Sequence, residues 1–189
     1  FKELQSAIVA RDLAPGQPVV IEQLAESLGV SRTPIREVLP ALLQRGLIEE
    51  NGGGGFRVAP LDATYVRQVY AVRSALESLM VEIVAPLLTE DDLRQLRSVS
   101  FPVEPPPEGE FEEMFGPDLA FHDFLRSRCS LGFLNALIDT VQVHRSRLLD
   151  LEHSASAEYR RTSYDEHRAI YAALVRRDGA TARRLMQEH

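Results

Sequence analysis

The segment VIEQLAESLGVSRTPIREVL, residues 20–39, constrains the fold more than any other part of this sequence. Its first half places apolar side chains on one helical face and ends at Gly29, a residue suited to the left-handed stop of a helix. Ser31 then supplies an N-cap for a second helix, and Pro34 lies in the first turn, where its missing amide hydrogen has no partner to lose. The spacing therefore predicts a helix-turn-helix.

Two arginines mark the outer face of the second predicted helix. Arg32 and Arg36 are four residues apart and project from the same side, with Thr33 beside them. Arginine binds guanine through two parallel hydrogen bonds or binds a phosphate, and a threonine hydroxyl suits either contact. An isolated pair of arginines would indicate only a solvated helix face. Here the preceding turn, and the β-hairpin predicted by LIEE and FRVA around the run NGGGG, favour DNA binding.

This N-terminal part resembles the DNA-binding domain of the GntR family of bacterial transcription regulators. The resemblance rests on LAESLGVSRTPIREVL, followed by LLQRGLIEE and a glycine-bearing hairpin, and it spans residues 4–60. It implies a winged helix whose recognition helix begins at Ser31, whose wing approaches the minor groove and whose Arg57 supports the wing at a phosphate. The DNA contacts that it implies come from Ser31, Arg32, Thr33, Arg36, Gly54 and Arg57.

Two residues depart from the family pattern. Glu22 stands where some relatives carry a basic residue, which argues against a phosphate contact at that position. Pro40 lies inside the predicted recognition helix, where it removes the backbone bond to the carbonyl of Arg36 and costs about 3 kcal/mol. The base-reading first turn lies upstream of Pro40. We therefore hypothesise that Pro40 kinks the helix without moving Arg32 and Arg36 out of the groove.

Net charge limits the kind of nucleic-acid binding. The chain carries a formal charge of −7, and residues 1–60 hold six basic and seven acidic side chains. This balance argues against a protein that coats nucleic acid non-specifically but allows a small DNA-reading face. Charged residues interrupt every apolar stretch well short of the roughly 18 to 20 residues that a membrane span needs, so we expect a cytoplasmic protein with no membrane partner.

Beyond residue 60 the apolar residues recur at helical spacing, which predicts an all-α bundle over residues 61–189. Its first element is a long helix that Asp62 caps and that closes near Pro86, and Thr89 with Asp92 predicts a capping box for a short helix through Leu96. The proline-rich residues 99–109 are predicted to form a loop. Further helices are predicted over roughly 110–128, 131–151, 155–177 and 179–189. The predicted fold class is mainly α, with a small β-hairpin wing in an N-terminal domain of residues 1–60.

Four side chains of this bundle have the spacing of a metal site. Asp118 and His122 are four residues apart on one helix face, whereas His167 and His189 lie 11 residues before and after Asp178, the turn of a predicted helical hairpin. The hairpin brings these two imidazoles level with each other. Three nitrogen ligands and one oxygen ligand suit Zn²⁺, Ni²⁺ or a similar divalent ion, and the single cysteine rules out a thiolate cluster.

Residues 62–189 resemble the FCD domain, the effector domain of the FadR subgroup of the GntR family, on the motifs VRSALE, DLAFH and EHRAIYAALVRRDGATARRLMQEH. The resemblance implies a cavity that binds a metal and a small effector, usually a carboxylate-bearing metabolite. The metal ligands that it implies are Asp118, His122, His167 and His189, and a histidine-lined cavity without metal is the alternative. Arg73 matches a family position that often faces the cavity, where it would pair with a carboxylate. A surface ion pair between Arg73 and Glu77 is the other interpretation.

These patterns predict a ligand-responsive bacterial transcription regulator, a repressor, that binds a pseudo-palindromic operator in double-stranded DNA as a homodimer. Two alternatives belong to other classes of protein. The Asp/His centre could activate water in a metal-dependent hydrolytic enzyme, although the sequence shows no positioned general base. The winged helix could instead serve as a protein-interaction module.

Overall fold

The computed structural model describes residues 1–101, 115–148 and 157–189, without the side chains of residues 115–118 and 157. These residues form two compact units. The first contains Phe1–Val69 and the end of a later helix from Gln142 onward, and the second contains Tyr70–Val141 and the C-terminal helices. Among the helices described here, none is both long and apolar enough to cross a bilayer.

The first unit opens with three helices and a small antiparallel sheet. The sheet order is β1-β3-β2, so the hairpin predicted from residues 47–59 gains a third strand. Strand β1 has only two residues, which show no alternation, and its partner is distant in the sequence: Val19 pairs with Phe56. The elements are α1 Lys2–Val9, β1 Pro18–Val19, α2 Ile21–Ser27, α3 Arg32–Gln44, β2 Ile48–Glu50 and β3 Phe56–Val58.

The turn between α2 and α3 has the predicted backbone conformation. Gly29 has a φ of 65°, and the amide of Val30 donates to the carbonyl of Ala25 at 3.0 Å, which satisfies an end carbonyl of α2. This turn lets the two helices share one apolar core. The core side chains of the unit are Leu4, Ile8, Leu24, Ala25, Ile35, Leu39, Leu42, Leu47, Ile48 and Val58.

The part of the chain after residue 60 is helical, and its described residues contain no strand. The Asp62 cap is confirmed, since its carboxylate accepts from the amide of Tyr65 at 2.8 Å. The capping box is confirmed too, because the side chains of Thr89 and Asp92 each accept a hydrogen bond from the other residue's backbone amide. The helices are α4 Ala63–Val84, α5 Glu90–Ser100, α6 Phe115–Ser127, α7 Gly132–Ser146, α8 Ala157–Val175 and α9 Gly179–Glu188. The mainly α fold class with a β wing is therefore confirmed.

Helix α5 is longer than predicted. It continues past Leu96 to Ser100, because Leu93, Leu96 and Ser100 form a buried stripe at spacings of three and four residues. The predicted loop is therefore wrong at residues 99 and 100. The rest of that loop, from residue 102, lies outside the described residues, as do parts of the predicted helices 110–128, 131–151 and 155–177.

The α8–α9 hairpin packs tightly against α4. Asp178 caps α9 by accepting from the amide of Thr181 at 3.0 Å, and hydrogen bonds from the Thr181 side chain and amide lower the pKa of the Asp178 carboxyl group. At the next residue, a Cβ on Gly179 would lie 2.9 Å from the backbone oxygen of Glu82. Only glycine therefore permits this approach of the two helices.

We expect Gly179→Ala to lower the free energy of unfolding by about 1–3 kcal/mol, because the added methyl group meets backbone that cannot move aside alone. Gly132→Ala is the matched control, since Gly132 also begins a helix but has no atom within 4 Å of the added carbon. Urea denaturation followed by circular dichroism compares the two variants. Equal stabilities would contradict the close approach at Gly179.

In the first unit, His144 lies in a polar cluster with Tyr65 and Arg147. The Tyr65 hydroxyl lies 2.6 Å from His144 Nδ1 and accepts from Arg147 Nη1 at 2.6 Å, and the buried Arg147 also donates to the Ala59 carbonyl. Burial lowers the pKa of His144, and the positive charge of Arg147 lowers it further. His144 is therefore a half-buried packing residue of the first unit.

This shift makes stability depend on pH. Because the folded-state pKa of His144 lies below the ordinary value of about 6.5, the unfolded chain binds more protons between those two values. The free energy of unfolding therefore falls as the pH drops below about 6.5, by at most about 1.4 kcal/mol per pH unit for this one group. Urea denaturation at several pH values is expected to give a shallower pH slope for His144→Gln than for the wild type. Parallel slopes would show that His144 contributes nothing.

Candidate functional site

The first turn of α3 presents an exposed polar face. Ser31 occupies the N-cap position, but its hydroxyl makes no cap bond, and Arg32, Thr33 and Arg36 are exposed with it. Ile35, on the opposite face of the helix, is buried in the core. The side chains that the sequence predicted for DNA contact thus lie outside the core, and the hydroxyl of Ser31 is not consumed by capping.

Pro40 lies within α3, which runs from Arg32 to Gln44 as one helix. Its ring is exposed, so the proline occupies the solvent side and displaces no core residue. The hypothesis that Pro40 leaves Arg32 and Arg36 in place remains a prediction.

Arg32 has an acidic partner ahead of the turn. Its Nη1 lies 3.2 Å from Glu22 Oε1, with side-chain exposures of 64% and 60%. Glu22 is the position at which some relatives carry a basic residue. In this protein the carboxylate faces the same solvent region as the guanidinium, so a phosphate that approaches Arg32 also meets the negative charge of Glu22.

The wing turn depends on glycine. Gly54 and Gly55 have φ values of 97° and 80°, a region that side chains disfavour, and the amide of Asn51 donates to the Gly55 carbonyl at 2.9 Å. No atom lies within 4 Å of a Cβ placed on Gly54. Arg57 stands across from Glu49 on β2 and donates to its carboxylate at 2.7 Å. The wing tip is therefore open to solvent, and Arg57, like Arg32, has a glutamate partner.

Three imidazoles converge in the second unit. His167 Nε2 lies 3.1 Å from His122 Nε2 and 3.2 Å from His189 Nε2. His122 and His167 are buried, His189 is half-buried, and the ring of Phe121 stacks on His167 with centroids 4.3 Å apart. Nitrogen ligands about 2.1 Å from one ion lie roughly 3 Å from one another, so these separations fit a shared divalent ion.

Carboxylates contact the outward nitrogens of two of these rings. His189 Nδ1 lies 2.7 Å from Glu166 Oε2, and His122 Nδ1 lies 2.9 Å from Glu77 Oε2. Burial alone would raise the pKa of Glu77, but the charges and hydrogen bonds of His122 and Arg73 outweigh it and lower the pKa well below its ordinary value. Glu77 is therefore a buried carboxylate anion between two positive or polarised partners.

Arg73 forms the predicted ion pair with Glu77, whereas its contact with an effector remains a prediction. Its Nε donates to Glu77 at 2.9 Å, as the spacing of four predicts, but both side chains are mostly buried, so this is not a surface pair. The Nη2 of the same guanidinium lies 3.0 Å from His122 Nε2. Arg73 thus belongs to the histidine cluster. Asp118, the predicted oxygen ligand, lies in α6, and its side chain is outside the described part of the chain.

A small cavity lies in the same unit. It has a volume of about 180 Å³ and contains none of the residues that the sequence predicted. The ring of Phe101 contacts both Tyr164 and Phe121, and Phe121 in turn stacks on His167. The lining residues are Arg97, Phe101, Tyr164, Arg168, Tyr171 and Ala172.

Comparison with known proteins identifies the family. The family described as bacterial regulatory proteins, gntR family, matches residues 1–58, and the FCD domain matches residues 68–189. The chain belongs to the GntR family and carries an FCD domain. It is therefore a DNA-binding transcription regulator with an effector domain.

Two GntR-family relatives match along the whole chain. The uncharacterized HTH-type transcriptional regulator YdhC of Bacillus subtilis is 29% identical, over 100% of this chain and 85% of that protein. The HTH-type transcriptional repressor RspR of Escherichia coli is 27% identical, over 100% of this chain and 83% of that protein. The solved structure of E. coli McbR/YncC has a TM-score of 0.67 at 24% identity, covers 99% of this chain and 91% of that one, and shows likeness of fold alone.

Sequence patterns missed three features of this GntR-family site. Glu166 precedes His167 directly and has no ligand-type spacing, so no pattern singles it out. Glu77 was visible only as the partner of Arg73, because its burial depends on how α4 and α6 pack. Phe121 adjoins His122, but its stacking on His167 joins distant parts of the chain.

Proposed function

We propose that this regulator is a repressor of the FadR subgroup that binds a pseudo-palindromic operator as a homodimer and responds to a small carboxylate through a metal-containing pocket. In this proposal residues 1–60 are the DNA-binding domain, and residues 61–189 bind the effector and dimerise. The regulator acts in the cytoplasm, where bacterial DNA lies.

One observation carries the DNA-binding part: the polar first turn of α3 is exposed while Ile35 on its other face is buried. A helix held in this way can enter the major groove with Arg32 and Arg36 toward the base edges. One such helix makes few contacts, so two half-sites about 10 base pairs apart give the useful affinity and require a dimer. The designation of RspR as a repressor favours repression here.

The pocket proposal rests on the three converging Nε2 atoms. His122, His167 and His189 would hold Zn²⁺ or Ni²⁺, with Asp118 as the oxygen ligand that the family resemblance implies. Bound there, the ion would act as a Lewis acid toward a carboxylate oxygen. Arg73 contacts the His122 Nε2 that would bind the ion, so metal binding would release this hydrogen bond and leave the guanidinium available to the carboxylate.

The family assignment favours this regulator over the two alternatives. A hydrolytic enzyme would need a general base placed to activate a water, and we assign none. A protein-interaction role for the winged helix would leave operator binding insensitive to its arginines. The following experiment separates that role from DNA binding.

Arg36→Ala is expected to weaken binding to a selected operator by roughly 10- to 100-fold, since one good arginine–base contact is worth about 1–3 kcal/mol. The operator is obtained by selecting random duplexes with the wild-type protein, and affinity is measured by fluorescence anisotropy at fixed salt. The selected consensus is expected to contain an inverted repeat.

Arg94→Ala is the matched control, because Arg94 is an exposed arginine of α5 that pairs with Asp91. Its affinity is expected to equal that of the wild type. Pro40→Ala is expected to keep operator binding. Loss of operator binding in this variant would refute the hypothesis that Pro40 kinks the helix without moving Arg32 and Arg36. Unchanged binding by Arg32→Ala and Arg36→Ala together would exclude the proposed DNA surface.

The purified wild-type protein is expected to carry about one Zn²⁺ or Ni²⁺ per chain, and His167→Ala is expected to lose it because one of three converging nitrogens disappears. Elemental analysis combined with native mass spectrometry measures metal, retained ligand and subunit number together. His144→Gln removes a histidine of the first unit and should leave the metal content unchanged. A metal-free wild type after incubation with either ion would overturn the pocket proposal.

A further inference from the structure

The histidine cluster is held in one orientation by two carboxylates that are not themselves in its centre. Glu166 contacts the outer nitrogen of His189 at 2.7 Å, and Glu77 contacts that of His122 at 2.9 Å. In both rings it is Nδ1 that faces the carboxylate and Nε2 that faces the other imidazoles. The same arrangement therefore occurs twice, on α4 with α6 and on α8 with α9.

Hydrogen-bond chemistry decides which nitrogen of each ring carries the hydrogen. An ionised carboxylate can only accept, so the His189 Nδ1 that is hydrogen-bonded to Glu166 must donate, and the Nε2 of the neutral ring then keeps its lone pair. Glu77 lies at ion-pair distance from His122 Nδ1. Arginine supplies an independent argument at His122. Because a guanidinium has no acceptor, the contact of Arg73 with His122 Nε2 also requires a lone pair on that atom.

We infer that Glu166 and Glu77 are positioning residues, which turn the Nε2 lone pairs of His189 and His122 toward one ion before that ion arrives. This inference rests on the metal pocket of the proposed function and adds two residues that are not ligands. Partners of this kind fix the ring and raise the donor strength of its nitrogen, and their loss commonly weakens metal binding by about 10- to 100-fold.

A rival explanation is charge alone, since any nearby carboxylate attracts a cation. The neighbouring Asp165 provides the comparison, because it has the same charge but is exposed, one residue before Glu166. Glu166 is itself 38% exposed, so changing it removes little packing. Glutamine separates the effects further, since its amide oxygen still accepts a hydrogen bond but carries no net charge.

The test measures the Ni²⁺ and Zn²⁺ affinities of the full chain by competition with a chromophoric chelator. Glu166→Ala is expected to bind each ion about 10- to 100-fold more weakly, Glu166→Gln to recover most of that loss, and Asp165→Ala to match the wild type. Glu77→Gln is expected to retain metal binding in the same way. Unfolding temperatures of the metal-free variants check that the fold is kept.

The inference is overturned if Glu166→Ala binds as well as the wild type, or if Glu166→Gln and Asp165→Ala lose as much as Glu166→Ala. A wild type that binds neither ion would instead remove the metal pocket itself, so the two failures are distinguishable. Long-range ¹H–¹⁵N spectra of the metal-free wild type give a result without any variant. Hydrogen on Nδ1 of His189 is expected, and hydrogen fixed on Nε2 would contradict the assignment.

Discussion

Burial of one face of a helix sets the direction of the side chains that the sequence singled out on α3 and α8. In α3, Ile35 and Leu39 enter the core, and the helical repeat then turns Arg36 outward. In α8 the same repeat turns His167 inward, onto the buried face that it shares with Ile170 and Leu174. One constraint thus exposes the polar side chains of one unit and encloses the imidazoles of the other.

Burying the polar cluster of Arg73, Glu77 and His122 costs folding free energy, and this cost is informative about function. Buried carboxylates and guanidinium groups are costly unless each finds partners, and apolar replacements of equal volume are often as stable or more so. Here Glu77 lies between Arg73 and His122, with side-chain exposures of 7%, 12% and 8%. Stability alone gives no reason to keep such a group in an otherwise apolar bundle. The metal and the carboxylate effector proposed above would give one.

Sequence patterns predicted what short-range spacing controls. The stop at Gly29, the cap at Asp62 and the level placement of His167 and His189 all follow from spacings within one helix or one hairpin. The patterns missed features set by distant pairing. Strand β1 cannot be predicted from its own two residues, because it forms only by pairing with β3. Glu166 cannot be predicted from local spacing, because its contact with His189 depends on the packing of α9 against α8. The role of Asp118 still rests on spacing and resemblance alone.

The glutamates beside the predicted DNA-contacting arginines explain how an acidic chain can carry a DNA-binding face. Exposed ion pairs such as Arg32 with Glu22 contribute only about 0–1 kcal/mol, because solvent screens both charges. A bidentate arginine–guanine contact is worth about 1–3 kcal/mol. Replacing the arginine–glutamate pair by this contact is therefore favourable where the DNA presents a guanine to the arginine. On random sequence the arginine gains only a phosphate contact. Breaking the ion pair costs the same small amount on any DNA, so a specific base contact exceeds that cost by more than a phosphate contact does.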